Sequence, residues 1–211
     1  MAAYGRPTLR DLFDESPTPH IAHPPRTHHR DFYIASDGSF SDAGGGLGVI
    51  IETRDGERVV RRSLPDDVPN NNVAEYRALH LGLDILSARA PRDTRVGVLI
   101  DHDNLAANVN RATIAAKQPA IGPPHPFRVP GQSRHHWRGI RARIAGFQEL
   151  RAARIDSSEN PAHPLANTPE QYAHVNQEPD RCMLPSHPIE TDSTGQFPPP
   201  SRANRPRHAS D

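Results

Sequence analysis

The sequence predicts an α/β sandwich of three layers, in which a five-stranded mixed sheet carries helices on both faces. Two observations predict this fold class. Three short strand patterns follow one another first, and helical patterns then alternate with a strand that is apolar on both faces. The expected order is β-β-β-α-β-α-α-β-α, with three antiparallel strands first and parallel strands after them.

The distribution of proline predicts the domain boundaries. The 211-residue chain contains 23 prolines, which are concentrated at both ends and in one internal stretch. We expect one domain over residues 31–167 that contains a proline-rich loop at 119–133. Residues 1–30 are expected to form a disordered arm rich in proline and histidine, and residues 168–211 a disordered proline-rich tail.

The net charge and the composition limit which binding partners and which cellular environment can be expected. The formal net charge is zero, so the chain as a whole does not attract nucleic acid or a membrane, and any basic surface is local. No apolar run approaches the ~18 residues of a membrane span, and the single cysteine, Cys182, excludes an intrachain disulfide framework. We expect a cytoplasmic monomer without a membrane partner.

The first half of the domain shows strand signals. The run "DFYIAS" (31–36) predicts a strand that ends at the acidic turn "DGS". "GGGLGVIIET" and "RVVRRSL" predict a second and a third strand, and the Asp-Gly pair in "RDGE" (54–57) predicts the hairpin that joins them.

The second half changes to helical periodicity. The stretch 70–90 predicts a helix capped by Asn71 or Asn72, and "RVGVLID" (95–101) predicts a central covered strand. "NLAANVNRATIAA" and "SRHHWRGIRARIAGFQELRAA" predict two further helices. "RID" (154–156) predicts a final short strand, and "PAHPLAN" predicts the start of a last helix.

Three acidic residues are expected to meet at one edge of the sheet. Asp37 and Asp101 end the first and fourth strands, which a right-handed crossover makes parallel. Glu75 lies in the first turn of the crossover helix, on the face that Leu79, Gly82 and Leu86 mark as buried. Gly82 on that face allows the helix to approach the sheet closely.

Converging carboxylates repel one another unless a cation neutralises them, and their hard oxygen atoms suit Mg²⁺ or Mn²⁺. Two such ions at an acidic cluster commonly cleave phosphodiesters. The alternative gives each acid a local role. Asp37 is then a turn residue, Asp101 a helix cap and Glu75 a partner of the helix dipole.

The ordered set of motifs resembles the type 1 ribonuclease H family (RNase HI). "ASDGSFSDAGGGLGVII" is similar to its opening strand, "NNNVAEYRALHLGL" to its Asn-Asn-x-x-Glu helix, "VGVLIDHDNLAANVN" to its fourth strand, and "ENPAHPLAN" to its late helix. The resemblance covers about residues 31–167. It implies the RNase H-like fold and cleavage of the RNA strand of an RNA–DNA hybrid with two divalent ions.

The resemblance also implies roles for single residues. Asp37, Glu75 and Asp101 would be catalytic metal ligands, and His163 stands where the family usually has a fourth acid. His163 is therefore expected beside the second metal ion, either as a nitrogen ligand or as a proton carrier. A neutral imidazole in place of a carboxylate predicts greater reliance on Mn²⁺ than on Mg²⁺.

Substrate contacts are implied in the same way. Gly38, Asn71 and Asn72 would contact the 2′-hydroxyl groups of the RNA strand. The sequence departs from the family at "SDAGGG", where Asn-Pro-Gly is frequent, and at Asp103, where glutamine is frequent. The loop histidine of some members has only candidates here, namely His125 and the pair His135–His136.

Two other classes of function remain as alternatives. The first is a non-catalytic nucleic-acid-binding module on the same fold, for which the change at His163 would mark lost activity. The second is a recombinase or transposase core, which the Asn-Asn pair and the helix-borne Glu75 disfavour.

Overall fold

The computed structural model describes residues 5–23, 28–41, 44–117 and 126–180. Its centre is an open five-stranded sheet in the order β3-β2-β1-β4-β5. The first three strands are antiparallel, and β4 and β5 add in parallel, so the predicted mixed sheet is confirmed. The strands are β1 (Phe32–Ser39), β2 (Gly45–Thr53), β3 (Arg58–Asp66), β4 (Arg95–Ile100) and β5 (Glu149–Arg154).

Helices cover both faces of this sheet. Three long helices form one layer: α2 (Asn71–Ser87), α3 (Asp103–Lys117) and α4 (Arg134–Gly146). The opposite face carries α1 (Leu9–Glu15) and α5 (His163–Asn167), and a short α6 (Pro169–Tyr172) follows. None of the helices within the described residues is both long enough and apolar enough to cross a membrane.

The crossover from β3 through α2 to β4 brings β1 and β4 side by side. They pair in parallel from Phe32 opposite Val96 to Ala35 opposite Leu99. A Cβ atom at Gly82 would lie only 3.1 Å from Ile34 Cγ2, so the absence of a side chain lets α2 approach β1 as expected. The N-cap, however, is Asn70 rather than Asn71 or Asn72, because its side chain accepts from the Val73 N–H at 3.1 Å.

The final strand differs from the prediction. The helix expected to run to residue 153 ends at Gly146, and β5 occupies Glu149–Arg154 instead of "RID". Phe147 adopts an extended conformation (φ −96°, ψ 153°), and β5 then pairs with β4 over its whole length. Glu, Leu, Arg and Ala all favour helix locally, so the pairing with β4 overrides the intrinsic propensity of this segment.

The N-terminal arm is not disordered in its described part, residues 5–23 and 28–30. Thr8 and Asp11 form a reciprocal capping box that begins α1. Leu9 and Phe13 are both 1% exposed, and the Phe13 ring packs edge-on against Tyr33 at 5.5 Å between centroids. The arm is ordered because these two side chains complete the apolar layer on the second face of the sheet.

The predicted C-terminal tail is also ordered where the structure describes it, over residues 168–180. After α6, a 3₁₀ helix spans Ala173–Gln177. The side-chain amide of Asn176 pairs with the backbone of Ser63 on β3, accepting at 2.9 Å and donating at 2.6 Å. This pairing covers the edge strand β3. Residues 181–211 and 118–125 lie outside the described residues.

Phe13→Ala tests the packing of α1. Truncation of this buried ring is expected to lower the free energy of unfolding by about 3–5 kcal/mol, measured by urea denaturation. The exposed neighbour Glu15 provides the control, since Glu15→Ala should change stability by less than about 0.5 kcal/mol. A loss of under about 1 kcal/mol for Phe13→Ala would show that α1 does not belong to the core.

Candidate metal centre

Asp37 and Asp101 come from neighbouring parallel strands. β1 continues to Ser39, so Asp37 lies inside this strand and pairs with Gly48 of β2, rather than ending the strand as predicted. Asp101 directly follows β4. Because Ala35 pairs with Leu99, the two aspartates, each two residues further along, reach the same level of the sheet.

Glu75 approaches both aspartates from α2. A Cβ atom at Gly38 would lie 2.2–2.4 Å from the backbone of Ala74 and Glu75, so only glycine allows β1 to touch the first turns of α2. The contact leaves Glu75 4% exposed and directed at the sheet, as predicted. Gly38 therefore has a packing role that is independent of any substrate.

The electrostatics of the acids follow from this burial. Desolvation, followed by the charges of Asp101 and Asp37, raises the pKa of Glu75 to about 10. Desolvation, followed by the charge of Asp101 and a hydrogen bond with it, raises the pKa of Asp37 to about 8. Without a cation the site therefore retains protons at neutral pH.

His163 reaches the cluster from the start of α5. Its Nδ1 lies 3.2 Å from Asp37 Oδ2, and 43% of its side chain is exposed. A Cβ atom at Gly48 would lie 2.3 Å from the Ala162 carbonyl oxygen, so this glycine lets the start of α5 rest on β2. The histidine therefore lies at the mouth of the cluster, between Asp37 and solvent.

The tautomer of His163 depends on Asn167. The Asn167 Nδ2 atom lies 2.8 Å from His163 Nε2. With the amide nitrogen as donor, Nε2 accepts and the ring proton lies on Nδ1, facing Asp37. With the amide turned over, Nε2–H donates to the amide oxygen and Nδ1 has a free lone pair for a metal ion.

Two polar residues that the sequence analysis did not assign hold the cluster in place. Asn160 is 2% exposed, donates to the Ser36 carbonyl at 3.0 Å and accepts from the Ala162 N–H at 3.1 Å, which fixes the start of α5 beside β1. Ser157 Oγ donates to Asp101 Oδ2 at 2.8 Å. Asn160 stands in the quoted late-helix motif, whereas no motif contains Ser157.

Asn71 and Asn72 are exposed in the first turn of α2. His102 Nε2 donates to Asn72 Oδ1 at 2.7 Å, since its Nδ1 accepts from the Leu105 N–H at 3.2 Å. His102 therefore caps α3, a role that the local alternative gave to Asp101. The sequence motifs did not identify His102 as part of the site. Its position directly after Asp101 is the only sequence signal that would place it there.

The residues present fit a hard divalent cation. Asp37, Asp101 and His163 each offer a ligand atom, and these atoms lie within 4.8 Å of one another. Among the described residues, Glu75 Oε2, Asp101 Oδ1 and His163 Nδ1 are buried atoms without a hydrogen-bond partner. A cation would satisfy these atoms and offset the repulsion between the carboxylates.

The raised pKa of Asp37 predicts that Asp37→Asn stabilises the metal-free protein. The protonated Asp37 carboxyl contributes its full stability below about pH 4, which is its pKa in the unfolded chain. This stability is lost as the pH rises to about 8, its pKa in the folded protein. In EDTA the amide should add roughly 2–4 kcal/mol to the free energy of unfolding at pH 7, and clearly less at pH 5.

Asp103→Asn is the matched control for this measurement. Asp103 is exposed and pairs with Arg154, so its loss should change stability by under about 1 kcal/mol. A gain for Asp37→Asn that is equal at pH 5 and pH 8, or no gain at all, would contradict the raised pKa.

The sequence matches no protein-family model and no curated protein, but the fold has clear counterparts among solved structures. RNase H1 of the halophilic archaeon Halobacterium salinarum NRC-1 is 17% identical, with a TM-score of 0.51 over 67% of this chain and 98% of that chain. LC11-RNase H1 in complex with RNA/DNA hybrid is 21% identical, with a TM-score of 0.50 over 64% and 93%. The foamy viral protease-reverse transcriptase in complex with RNA/DNA hybrid is 15% identical, with a TM-score of 0.51 over 75% of this chain and 23% of that chain. The protein therefore has the ribonuclease H-like fold that its sequence motifs imply.

Proposed function

We propose that the protein is a metal-dependent endonuclease that hydrolyses the RNA strand of RNA–DNA hybrids. The observation that carries the proposal is the convergence of Asp37, Glu75 and Asp101, with His163, at one edge of a ribonuclease H-like sheet. Solved structures of the same fold hold an RNA/DNA hybrid, which supports this class of substrate.

Asp37, Glu75, Asp101 and His163 are the residues that would hold Mg²⁺ or Mn²⁺. Two divalent ions bound there would activate the attacking water and stabilise the leaving oxygen of the phosphodiester. Asp37 and Glu75 must lose their protons to act as ligands, and the raised pKa values of these two carboxyls make metal binding stronger at higher pH.

His163 suits proton transfer as well as ligation. It lies against Asp37 on one side and reaches solvent on the other, so a proton can pass between the reacting centre and water through its ring. Asn167 holds the ring at its far nitrogen and thereby fixes its orientation.

Recognition of RNA is assigned to the first turn of α2 and to Gly38. His102 engages the amide oxygen of Asn72, which leaves the amide N–H₂ group available to donate to a ribose 2′-hydroxyl. Asn71 is exposed beside it. At Gly38, where no side chain fits, only backbone can meet the substrate.

The second candidate is a nucleic-acid-binding module without catalysis, which the histidine at position 163 favours. Against it stand the two nearly buried carboxyls, Asp37 and Glu75, whose charged forms destabilise the fold. A binding surface has no need of acids that repel the phosphates it binds.

Cleavage of a labelled RNA–DNA hybrid tests the proposal. With Mg²⁺ or Mn²⁺ the wild type should cut the RNA strand and leave double-stranded DNA and RNA intact. Asp37→Asn should lower the rate by at least roughly 100-fold, since loss of a metal ligand costs more than loss of a residue that only orients one.

Asp103→Asn is again the control and should cleave at the wild-type rate. Hybrid binding without cleavage in either metal would instead identify the binding module, and cleavage of duplex DNA would identify a different nuclease class.

Substitutions at His163 test its place in the site. His163→Asp restores a carboxylate and should raise the Mg²⁺-supported rate relative to the Mn²⁺-supported rate. His163→Ala should lower the rate with both metals by roughly 10- to 100-fold, in the range of a lost proton carrier or weak ligand. Wild-type rates for His163→Ala with both metals would make the histidine a bystander.

A further inference from the structure

A second group of metal-ligand side chains lies between α2 and α4, on the helical face of the sheet. His80 of α2 and His136 of α4 face each other with their Nδ1 atoms 3.5 Å apart. Their ring centroids are 5.7 Å apart, and the ring planes meet at 62°. Neither residue belongs to the acidic cluster, so a metal site between these helices would be independent of the proposed function.

The separation of the two nitrogen atoms matches shared coordination of one ion. Two imidazole nitrogens at about 2.0–2.1 Å from a tetrahedral Zn²⁺ lie about 3.3–3.4 Å apart. A hydrogen bond between the rings would be expected at roughly 2.7–3.2 Å. The observed 3.5 Å therefore lies closer to the ligand–ligand distance.

The other nitrogen of His80 lies near a carboxylate, at ion-pair distance rather than hydrogen-bond distance. His80 Nε2 lies 3.6 Å from Asp84 Oδ2, one helical turn further along α2. Metal-ligating histidines commonly direct their second N–H at a carboxylate, which fixes the tautomer and strengthens the ligand. The second oxygen of Asp84 pairs with Arg143 of α4 at 2.6 Å and holds the carboxylate in place.

Gly139 provides the space for this arrangement. A Cβ atom at this position would lie 2.0 Å from His80 Nε2, so the ring of His80 rests directly on the backbone of α4. Since His136 is on the same helix, the two rings are held against each other by the packing of α2 on α4.

The surrounding charges permit a cation. His80 faces Asp84, Arg143 and His135, and His136 faces His80, Arg77 and His135. Both arginines are paired, Arg143 with Asp84 and Arg77 with Asp66 at 2.9 Å, which limits their repulsion of an ion. Burial is the largest effect on both histidines and lowers the pKa of each, so the neutral imidazole that binds metals predominates at neutral pH.

We propose that His80 and His136 bind one transition-metal ion of the Zn²⁺ or Cu²⁺ class through their Nδ1 atoms. Asp84 is the residue that orients His80. Water completes the coordination shell. Such an ion clamps α2, which carries Glu75, to α4.

Zinc titration of the full-length, untagged protein after EDTA treatment tests this proposal. Isothermal titration calorimetry with ZnCl₂ should show that His80→Gln or His136→Gln weakens one binding event by at least 10-fold. Asp84→Asn should weaken it by roughly 10- to 100-fold. His163→Gln is the matched control at the acidic cluster and should leave this event unchanged.

Loss of the binding event in His163→Gln but not in the other variants would place the ion at the acidic cluster and overturn the proposal. So would wild-type affinity in His80→Gln and His136→Gln. Circular dichroism and the Tm in EDTA establish that the variants are folded.

A spectroscopic measurement on the wild type keeps the test independent of any variant. With one equivalent of Cu²⁺, electron spin echo modulation should report two coordinated imidazoles, because this site has two facing histidines, whereas among the described residues the acidic cluster includes one histidine, His163. A spectrum with one imidazole or none would overturn the proposal.

Discussion

The burial of carboxyl groups that also repel one another, at a nearly dry edge of the sheet, is the constraint on which the rest of the structure depends. Asp37 and Glu75 are 2% and 4% exposed, so desolvation raises the pKa of both carboxyls, and the charges of neighbouring acids raise it further. Such a group persists only where the surrounding structure dictates the position of its backbone. Here the parallel pairing of β1 with β4 fixes two of the acids and α2 fixes the third.

The apolar layers on the two faces of the sheet supply the stability that offsets this repulsion. The helical face packs Tyr76, Leu79 and Leu83 of α2 on the sheet. The second face is closed by α1 and α5 together, and the Leu9 backbone N–H donates to the buried Glu52 carboxylate at 2.8 Å. Without α1, part of the sheet beside Tyr33 and Leu99 would face water, which explains why the N-terminal segment folds onto it.

The order of the strands and the meeting of the acids could be predicted from the sequence because they depend on local signals and on the handedness of one crossover. Glu75 was identifiable because an acid stood on an otherwise apolar helix face. β5 and α1 could not be predicted in the same way. The residues of β5 favour helix until β4 pairs with them. The capping box of Thr8 and Asp11 marks where α1 begins, but a helix of seven residues is marginal alone and depends on a tertiary contact, Phe13 against Tyr33.

The same distinction separates the proposed metal ligands from the residues that support them. Asp37, Glu75 and Asp101 occur in motifs, whereas Ser157 was found only through its contact with Asp101 in three dimensions. A hydroxyl group can stabilise a carboxylate from many positions in the sequence, so its spacing carries no signal. Asn160 is intermediate. It belongs to a motif that can be recognised in the sequence, but its hydrogen bond to the Ser36 carbonyl cannot be predicted from that motif.

The repulsion between the carboxyl groups explains why a histidine suits position 163. A fourth carboxylate at this position, 3.2 Å from Asp37, would add a further negative charge beside two acids that already retain protons. An imidazole offers a nitrogen atom without a carboxylate's negative charge, and its 43% exposure keeps it in contact with water. The metal-free fold is thereby less destabilised, while an ion bound as proposed would meet one negative charge fewer. Under the proposed function, the histidine would exchange affinity for hard cations for stability of the empty site, and the metal preference and the folding effect expected of it would have one electrostatic origin.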